Sequence, residues 1–168
     1  MTTKSNRNKY FISSVTFQLF KKPEVNVNYK DVQEEIGKEN PTIADVFNAI
    51  KTIRTQKLPD PKKIGNAGSF FRNPYVTKEF FAELKISFPE LKGYEEAEFI
   101  KLPAAQLIDM CGWKGKIDKG VGVYQNQALV LCNFGGAKGP DVKYFAEQIQ
   151  RSVKYKFGVD ILPEVNIY

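Results

Sequence analysis

Lys57-Leu58-Pro59-Asp60-Pro61-Lys62-Lys63-Ile64-Gly65-Asn66-Ala67-Gly68-Ser69-Phe70-Phe71-Arg72-Asn73-Pro74-Tyr75 is the stretch around which the rest of this chain arranges itself. Pro59 and Pro61 hold their own φ near one value and push Leu58 and Asp60 toward extended backbone. Gly65 and Gly68 admit backbone angles or close approaches that a side chain would forbid. Amides, a hydroxyl, aromatics and a cation follow. The stretch therefore reads as a rigid turn that feeds a short extended run and presents Ser69 and Asn73. A stiff surface loop is one reading. The density of hydrogen-bonding side chains favours the other, a loop that cradles a ligand.

Working backward, Thr42 to Thr55 reads as a helix. Thr42 can cap it and Asp45 can return a bond to the backbone three residues on. Ile43, Val46, Phe47, Ile50 and Ile53 make an apolar stripe at helical spacing, and Arg54 suits the helix end. Before it, Lys21 to Asn40 is polar and irregular, with a short helix after Tyr29 that stops at Gly37. Lys9 to Phe20 reads as a strand, with Phe11, Val15, Phe17 and Leu19 on one parity. A domain rarely opens on so central-looking a strand, which suggests that upstream sequence is missing. Met1 to Lys9 has no apolar core of a secretory signal and reads as a disordered start.

Working forward, Thr77 caps a helix carrying Phe80, Phe81 and Leu84 that breaks before Pro89. Residues 91–96 read as a loop and Phe99-Ile100 as a very short strand. Pro103 opens a third helix that Gly112 ends. Gly120 to Val123 and Gln127 to Asn133 read as strands. Asp141 caps a last long helix with Val142, Phe145, Ile149 and Val153 inside and Gly158 after it, and 159–168 is a final extended segment. Helices and strands mix without a repeated βαβ period, so the fold class is α+β (mixed α/β), helices packed on a small sheet. No GxGxxG follows a strand, and Gly65 to Ser69 lacks the lysine of a phosphate-binding P-loop.

The composition sets limits. The chain has 168 residues, 42% hydrophobic and 26% charged, as soluble globular domains do. The net charge of +6 favours anionic partners, but the basic residues are dispersed, which argues against nucleic acid. No apolar run is long enough to span a bilayer, so no membrane partner is expected. There is no histidine, which excludes His-based catalysis and His-ligated metal, and no metal site is expected. Cys111 and Cys132 sit in no CxxC pair and read as buried free thiols. Trp113 reads as a packing residue.

The central stretch resembles the serine-bearing loop of the UDP-N-acetylenolpyruvoylglucosamine reductase (MurB) family. Three further stretches are similar to that family in the same order: Lys101-Leu102-Pro103-Ala104-Ala105 through Gly112-Trp113-Lys114-Gly115, Gln127 through Asn133, and Phe157-Gly158 with Leu162-Pro163-Glu164-Val165. The resemblance runs from Tyr10 to Tyr168. It implies a substrate-binding domain over 42–168, a tyrosine-bearing inserted loop over 21–41, and over 1–20 the end strand of a missing flavin-binding domain.

The implied reaction reduces the enolpyruvyl group of UDP-N-acetylglucosamine enolpyruvate in peptidoglycan precursor synthesis, with FAD and NADPH serving the complete enzyme in the cytoplasm. By resemblance, Ser69 is the proton donor to the α-carbon and Glu164 engages the substrate carboxylate or its enolate. A glutamate does that only when protonated or relayed through water or a cation. Tyr29, Lys57, Asn73 and Gln127 match residues that hold the UDP diphosphate, with Arg54 a weaker candidate. The family's Tyr-Arg-x-Ser motif is absent, so the chain is expected to be a C-terminal fragment or split product that binds no cofactor alone. The competing reading is a non-catalytic module for nucleotide sugars or other anions.

Overall fold

The computed structural model describes residues 11–167. Lys9, Tyr10 and Tyr168, which the expected terminal strands include, lie outside them, as does the expected disordered start. Residues 11–20 form no strand. They have no ladder partner among the described residues, and Phe11, Phe17 and Leu19 are exposed. A strand needs a neighbour for its N–H and C=O groups, and alternation of apolar side chains does not supply one.

The chain divides into two compact units, up to Ala49 and from Ile50 onward. The first holds helix α1 (Lys30–Ile36), ended by Gly37 at φ +61°, whose N–H bonds the Gln33 carbonyl. Helix α2 (Ile43–Lys57) begins there and runs two residues beyond the expected Thr55. Its start is closed as expected. Asp45 Oδ2 accepts from the Thr42 N–H at 2.7 Å and from the Thr42 hydroxyl at 2.5 Å, and the Asp45 N–H bonds Thr42 Oγ1 at 3.3 Å. The Lys38 ammonium adds an ion pair at 2.6 Å. The Lys38 and Thr42 donors hold the Asp45 carboxyl well below the usual carboxylate range. A depressed folded-state pKa means support that is present above the unfolded carboxylate's range and lost as pH falls through and below it. We expect the first turn of α2 to fray on acidification below about pH 4, and Asp45→Asn to fray it at neutral pH. Amide exchange at Thr42 and Val46 reads this out; unchanged protection in the variant would show the box to be idle.

The second unit carries two antiparallel sheets rather than one. In the first, β1 (Gly65–Ser69), β7 (Val130–Asn133), β6 (Val121–Val123) and β5 (Ile117–Asp118) lie in that spatial order. Helix α5 (Gly139–Phe157) covers it with Phe145, Ile149, Val153 and Phe157 buried. Asp141 accepts from the Lys138 N–H at 2.8 Å at the start of α5, and Gly158 closes its end at φ +68°. Trp113 packs edge-on against Phe145 at 5.3 Å. In the second sheet, β4 (Phe99–Lys101) runs between β2 (Tyr75–Thr77) and β3 (Tyr94–Glu96). Helix α3 (Lys78–Ser87) packs on it, its Phe80 N–H capped by Thr77 Oγ1 at 3.2 Å. Helix α4 (Ala104–Met110) lies against α5 with Leu107 and Ile108 fully buried.

Three further expectations are corrected. Gly65 to Ser69 is an edge strand, because β7 supplies the ladder that the glycine content argues against. Tyr94 to Glu96, expected in a loop, pairs with β4. The strand expected from Gln127 begins only at Val130, and Gln127 sits in the preceding turn.

Candidate functional site

The register of β1 slips between Asn66 and Ser69, and Gly68 at φ +73° absorbs the extra residue. Asn66 stitches this bulge: its amide donates to the Ile64 carbonyl at 2.9 Å and its oxygen accepts from the Gly68 N–H at 3.1 Å. Ser69 then stands opposite Val130 with its side chain exposed. The next two residues anchor it. Phe70 and Phe71 are buried at 6% and 1% exposure and pack edge to face at 5.0 Å.

The backbone after Ser69 is held on two sides. Phe70 N–H bonds the Leu129 carbonyl at 2.8 Å. On the other flank Phe71 bridges Pro163, Glu164 N–H bonds the Phe70 carbonyl at 2.8 Å, and Arg72 N–H bonds the Leu162 carbonyl at 2.9 Å. The Arg72 guanidinium adds two bonds to the Pro163 carbonyl at 3.3 and 3.2 Å. Ser69 and Glu164, far apart in sequence, therefore sit on adjoining backbone segments, and the Glu164 side chain is exposed.

The other expected residues fall in different surroundings. Asn73 Oδ1 accepts from the Ala104 N–H at 2.9 Å, closing the first turn of α4. Its oxygen thus has a structural task, and its amide nitrogen is the group suited to a ligand. Lys57 is the last residue of α2, with its side chain exposed, and Arg54 lies in the same final turn. Gln127 is half-buried in the turn before β7, and its Oε1 accepts from the Leu129 N–H at 3.4 Å. The Asn126 amide donates to the Gln56 carbonyl at 2.9 Å, so the turn bearing Gln127 is tied to the helix end bearing Lys57. Tyr29 belongs to the first unit, where it precedes α1 and is exposed.

Gln127 also lines a groove of about 290 Å³ with Lys92, Tyr94, Gln106, Asp109, Lys114 and Asn126, floored by Pro103, Ala105 and Ala128. Sequence reasoning missed Lys92, Tyr94 and Lys114 as groove residues. Nothing local marks them: the β3–β4 pairing and the end of α4 bring them beside Gln127. The groove carries two lysines against one carboxylate, Asp109, which pairs with Lys114 at 3.5 Å. A second hollow of about 380 Å³ lies wholly in the first unit and holds none of the expected site residues.

Burial raises the pKa of the Cys111 and Cys132 thiols, with Lys156 partly opposing this at Cys111. Both are poor nucleophiles at neutral pH. Among the described residues no cluster of His, Cys, Asp or Glu is placed to hold a metal ion. No described helix is long and apolar enough to cross a membrane.

Residues 60–168 match the family model described as UDP-N-acetylenolpyruvoylglucosamine reductase, C-terminal domain. Relatives bearing the name UDP-N-acetylenolpyruvoylglucosamine reductase align along nearly the whole chain. The one from Flavobacterium johnsoniae is 43% identical over 166 residues, 96% of this chain and 49% of the relative. Those from Bacteroides fragilis and Pseudomonas aeruginosa are each 44% identical, over 93% and 98% of this chain and 48% and 50% of their own lengths. The chain thus spans about half the length of the curated relatives it matches.

Proposed function

The chain belongs to the family of UDP-N-acetylenolpyruvoylglucosamine reductase C-terminal domains, and from that premise we propose that it is the substrate-binding part of such a reductase. The substrate is UDP-N-acetylglucosamine enolpyruvate. Its reduction adds a hydride to the β-carbon and a proton to the α-carbon, as a step of peptidoglycan precursor synthesis in the cytoplasm. In the complete enzyme FAD and NADPH supply the hydride. Gly65 pairs with β7 and Gly68 forms the bulge, so neither glycine is left to cradle a flavin diphosphate. The flavin is assigned to the half of the relatives' length that this chain does not span. The apolar stripe of α2 supports such a partner, since Ile43, Phe47 and Ile50 are 55%, 65% and 42% exposed.

The observation that carries the reading is the backbone link between the two catalytic candidates, Glu164 N–H to Phe70 carbonyl at 2.8 Å. In this reading the Ser69 hydroxyl gives its proton to the α-carbon, and Glu164 contacts the carboxylate on which negative charge develops. A serine hydroxyl is a weak acid, but an enolate is a strong enough base to take its proton when the geometry is held. The stitched bulge and the buried Phe70-Phe71 pair support that rigidity. Lys57, the Asn73 amide, Gln127 and Tyr29 serve the diphosphate, where an ammonium and neutral donors suit phosphate oxygens. A non-catalytic anion-binding module would need Lys57 and Gln127 but neither Ser69 nor Glu164.

Calorimetry with the UDP-sugar tests this. Lys57→Ala should weaken binding about tenfold, the scale of one charge-assisted contact. Lys62→Ala, in the neighbouring turn, should change it less than about twofold. Affinity should also fall with salt, because the ligand is anionic. Equal losses in the two variants would remove Lys57 from the site, and a parent chain that binds no UDP-sugar would sink the reading.

A further inference from the structure

The segment 88–93, which brings Lys92 to the groove, is held more firmly than a surface loop requires. Leu91 at its centre is buried at 1% exposure. From α3, the Lys85 ammonium bonds the carbonyls of Pro89 and, at 3.2 Å, Leu91. From α4, the Gln106 amide grips the loop with both ends: Nε2 donates to the Glu90 carbonyl at 2.9 Å and Oε1 accepts from the Lys92 N–H at 2.9 Å. Gly93 closes the third side, because a Cβ there would stand 2.5 Å from Ile100 Cγ2 and 2.7 Å from Phe81 Cζ. The residue so fixed, Lys92, is exposed and lines the groove. Among the described residues no hydrogen bond or ion pair engages its ammonium, whereas Lys114 pairs with Asp109. A backbone held by four side-chain hydrogen bonds, carrying one uncompensated cation in a groove that an aromatic ring and three amides also line, is the equipment of a phosphate-reading position.

We propose that Lys92 is a specificity-determining cation of this groove, reading a phosphate of the bound nucleotide, and that Gln106 is the positioning residue that sets it. This rests on the nucleotide-sugar reading above and adds to it a contact outside the diphosphate residues already named. The Gln106 grip acts on the backbone of Lys92, so its effect on binding should pass through the ammonium.

Calorimetric titration of the full chain with uridine 5′-monophosphate and with uridine separates the possibilities. The parent should prefer the monophosphate. Lys92→Met, which keeps the apolar stem, should reduce that preference about five- to tenfold and leave uridine affinity unchanged. Gln106→Leu should reduce the same preference in part. The double variant should lose no more of it than Lys92→Met alone, which a merely structural role for Gln106 would not produce. The remaining preference of Lys92→Met should also depend less on salt. If the parent binds both ligands and Lys92→Met keeps the parental preference, the proposal is overturned and the nucleotide groove stands. Losses that add in the double variant would remove the positioning role of Gln106. If the parent binds neither ligand, the groove reading and this proposal fall together. Lys92 is exposed, so its variant does not depend on Gln106→Leu folding.

Discussion

Replacing Ser69 with alanine should slow reduction of the enolpyruvyl substrate by about 10²- to 10⁴-fold, the range over which a positioned proton donor acts. The measurement uses the chain joined to, or mixed with, an FAD-bearing half of a reductase of this family. NADPH oxidation driven by the enolpyruvyl substrate carries the loss. NADPH oxidation driven by an artificial acceptor such as ferricyanide should stay within about twofold, because no proton from Ser69 is used there. Ser69→Cys should retain more activity than alanine, since a thiol still donates. Affinity for the UDP-sugar should change little in either variant, because one neutral hydroxyl contributes only about 0.5–1.5 kcal/mol to a ground state. The hydroxyl lies at the end of β1 beyond the Gly68 bulge, and no described partner spends it on the fold. A parental rate in Ser69→Ala would reduce Ser69 to a strand-end residue and leave the site without its acid.

The parts of this fold that were legible in the sequence are those decided within a few residues. The Thr42–Asp45 box, the Thr77 cap and the Gly37 and Gly158 stops are local hydrogen-bond and backbone events. The buried stripe of α5 follows from its spacing. What was not legible depends on a distant partner. β1 is poor in strand-forming residues and exists because β7, far along the chain, pairs with it. β3 is a polar triplet that becomes a strand only beside β4. The apolar run before Asn133 does not reveal that its first three residues turn rather than extend. The candidate site divides along the same line. Ser69 and Glu164 stand in stretches whose order resembles a family, whereas Lys92 and Tyr94 reach the groove through sheet pairing and a loop clamp that no spacing announces.

The second large effect is expected at Phe71, where stability and site geometry meet. Phe71 is 1% exposed, sits in the principal core with Phe70, and bridges Pro163 through its backbone. Phe71→Ala should cost about 3–5 kcal/mol, because it removes a buried ring and leaves a cavity that close-packed neighbours fill only in part. The edge-to-face contact with Phe70 at 5.0 Å is lost with it. That is a large fraction of the roughly 5–15 kcal/mol by which domains are usually stable. Phe71→Leu should cost about 1–2 kcal/mol, since most of the volume remains. Phe17→Ala, at a ring 78% exposed, should stay within about 0.5 kcal/mol. Urea unfolding gives the three values. Amide exchange shows whether the damage reaches the site. The Glu164 N–H bonds the Phe70 carbonyl and the Arg72 N–H bonds the Leu162 carbonyl, so both amides report on the pairing that joins Ser69 to Glu164. In Phe71→Leu they should lose protection by more than the global loss of stability explains, because the ring that seats this segment in the core is smaller while the rest of the core is intact. A cost below about 1 kcal/mol for Phe71→Ala would mean that the ring is not the anchor. Protection at Arg72 and Glu164 that falls only in step with global stability would mean that the C-terminal segment is held by the Arg72–Pro163 bonds rather than by the packing of Phe71.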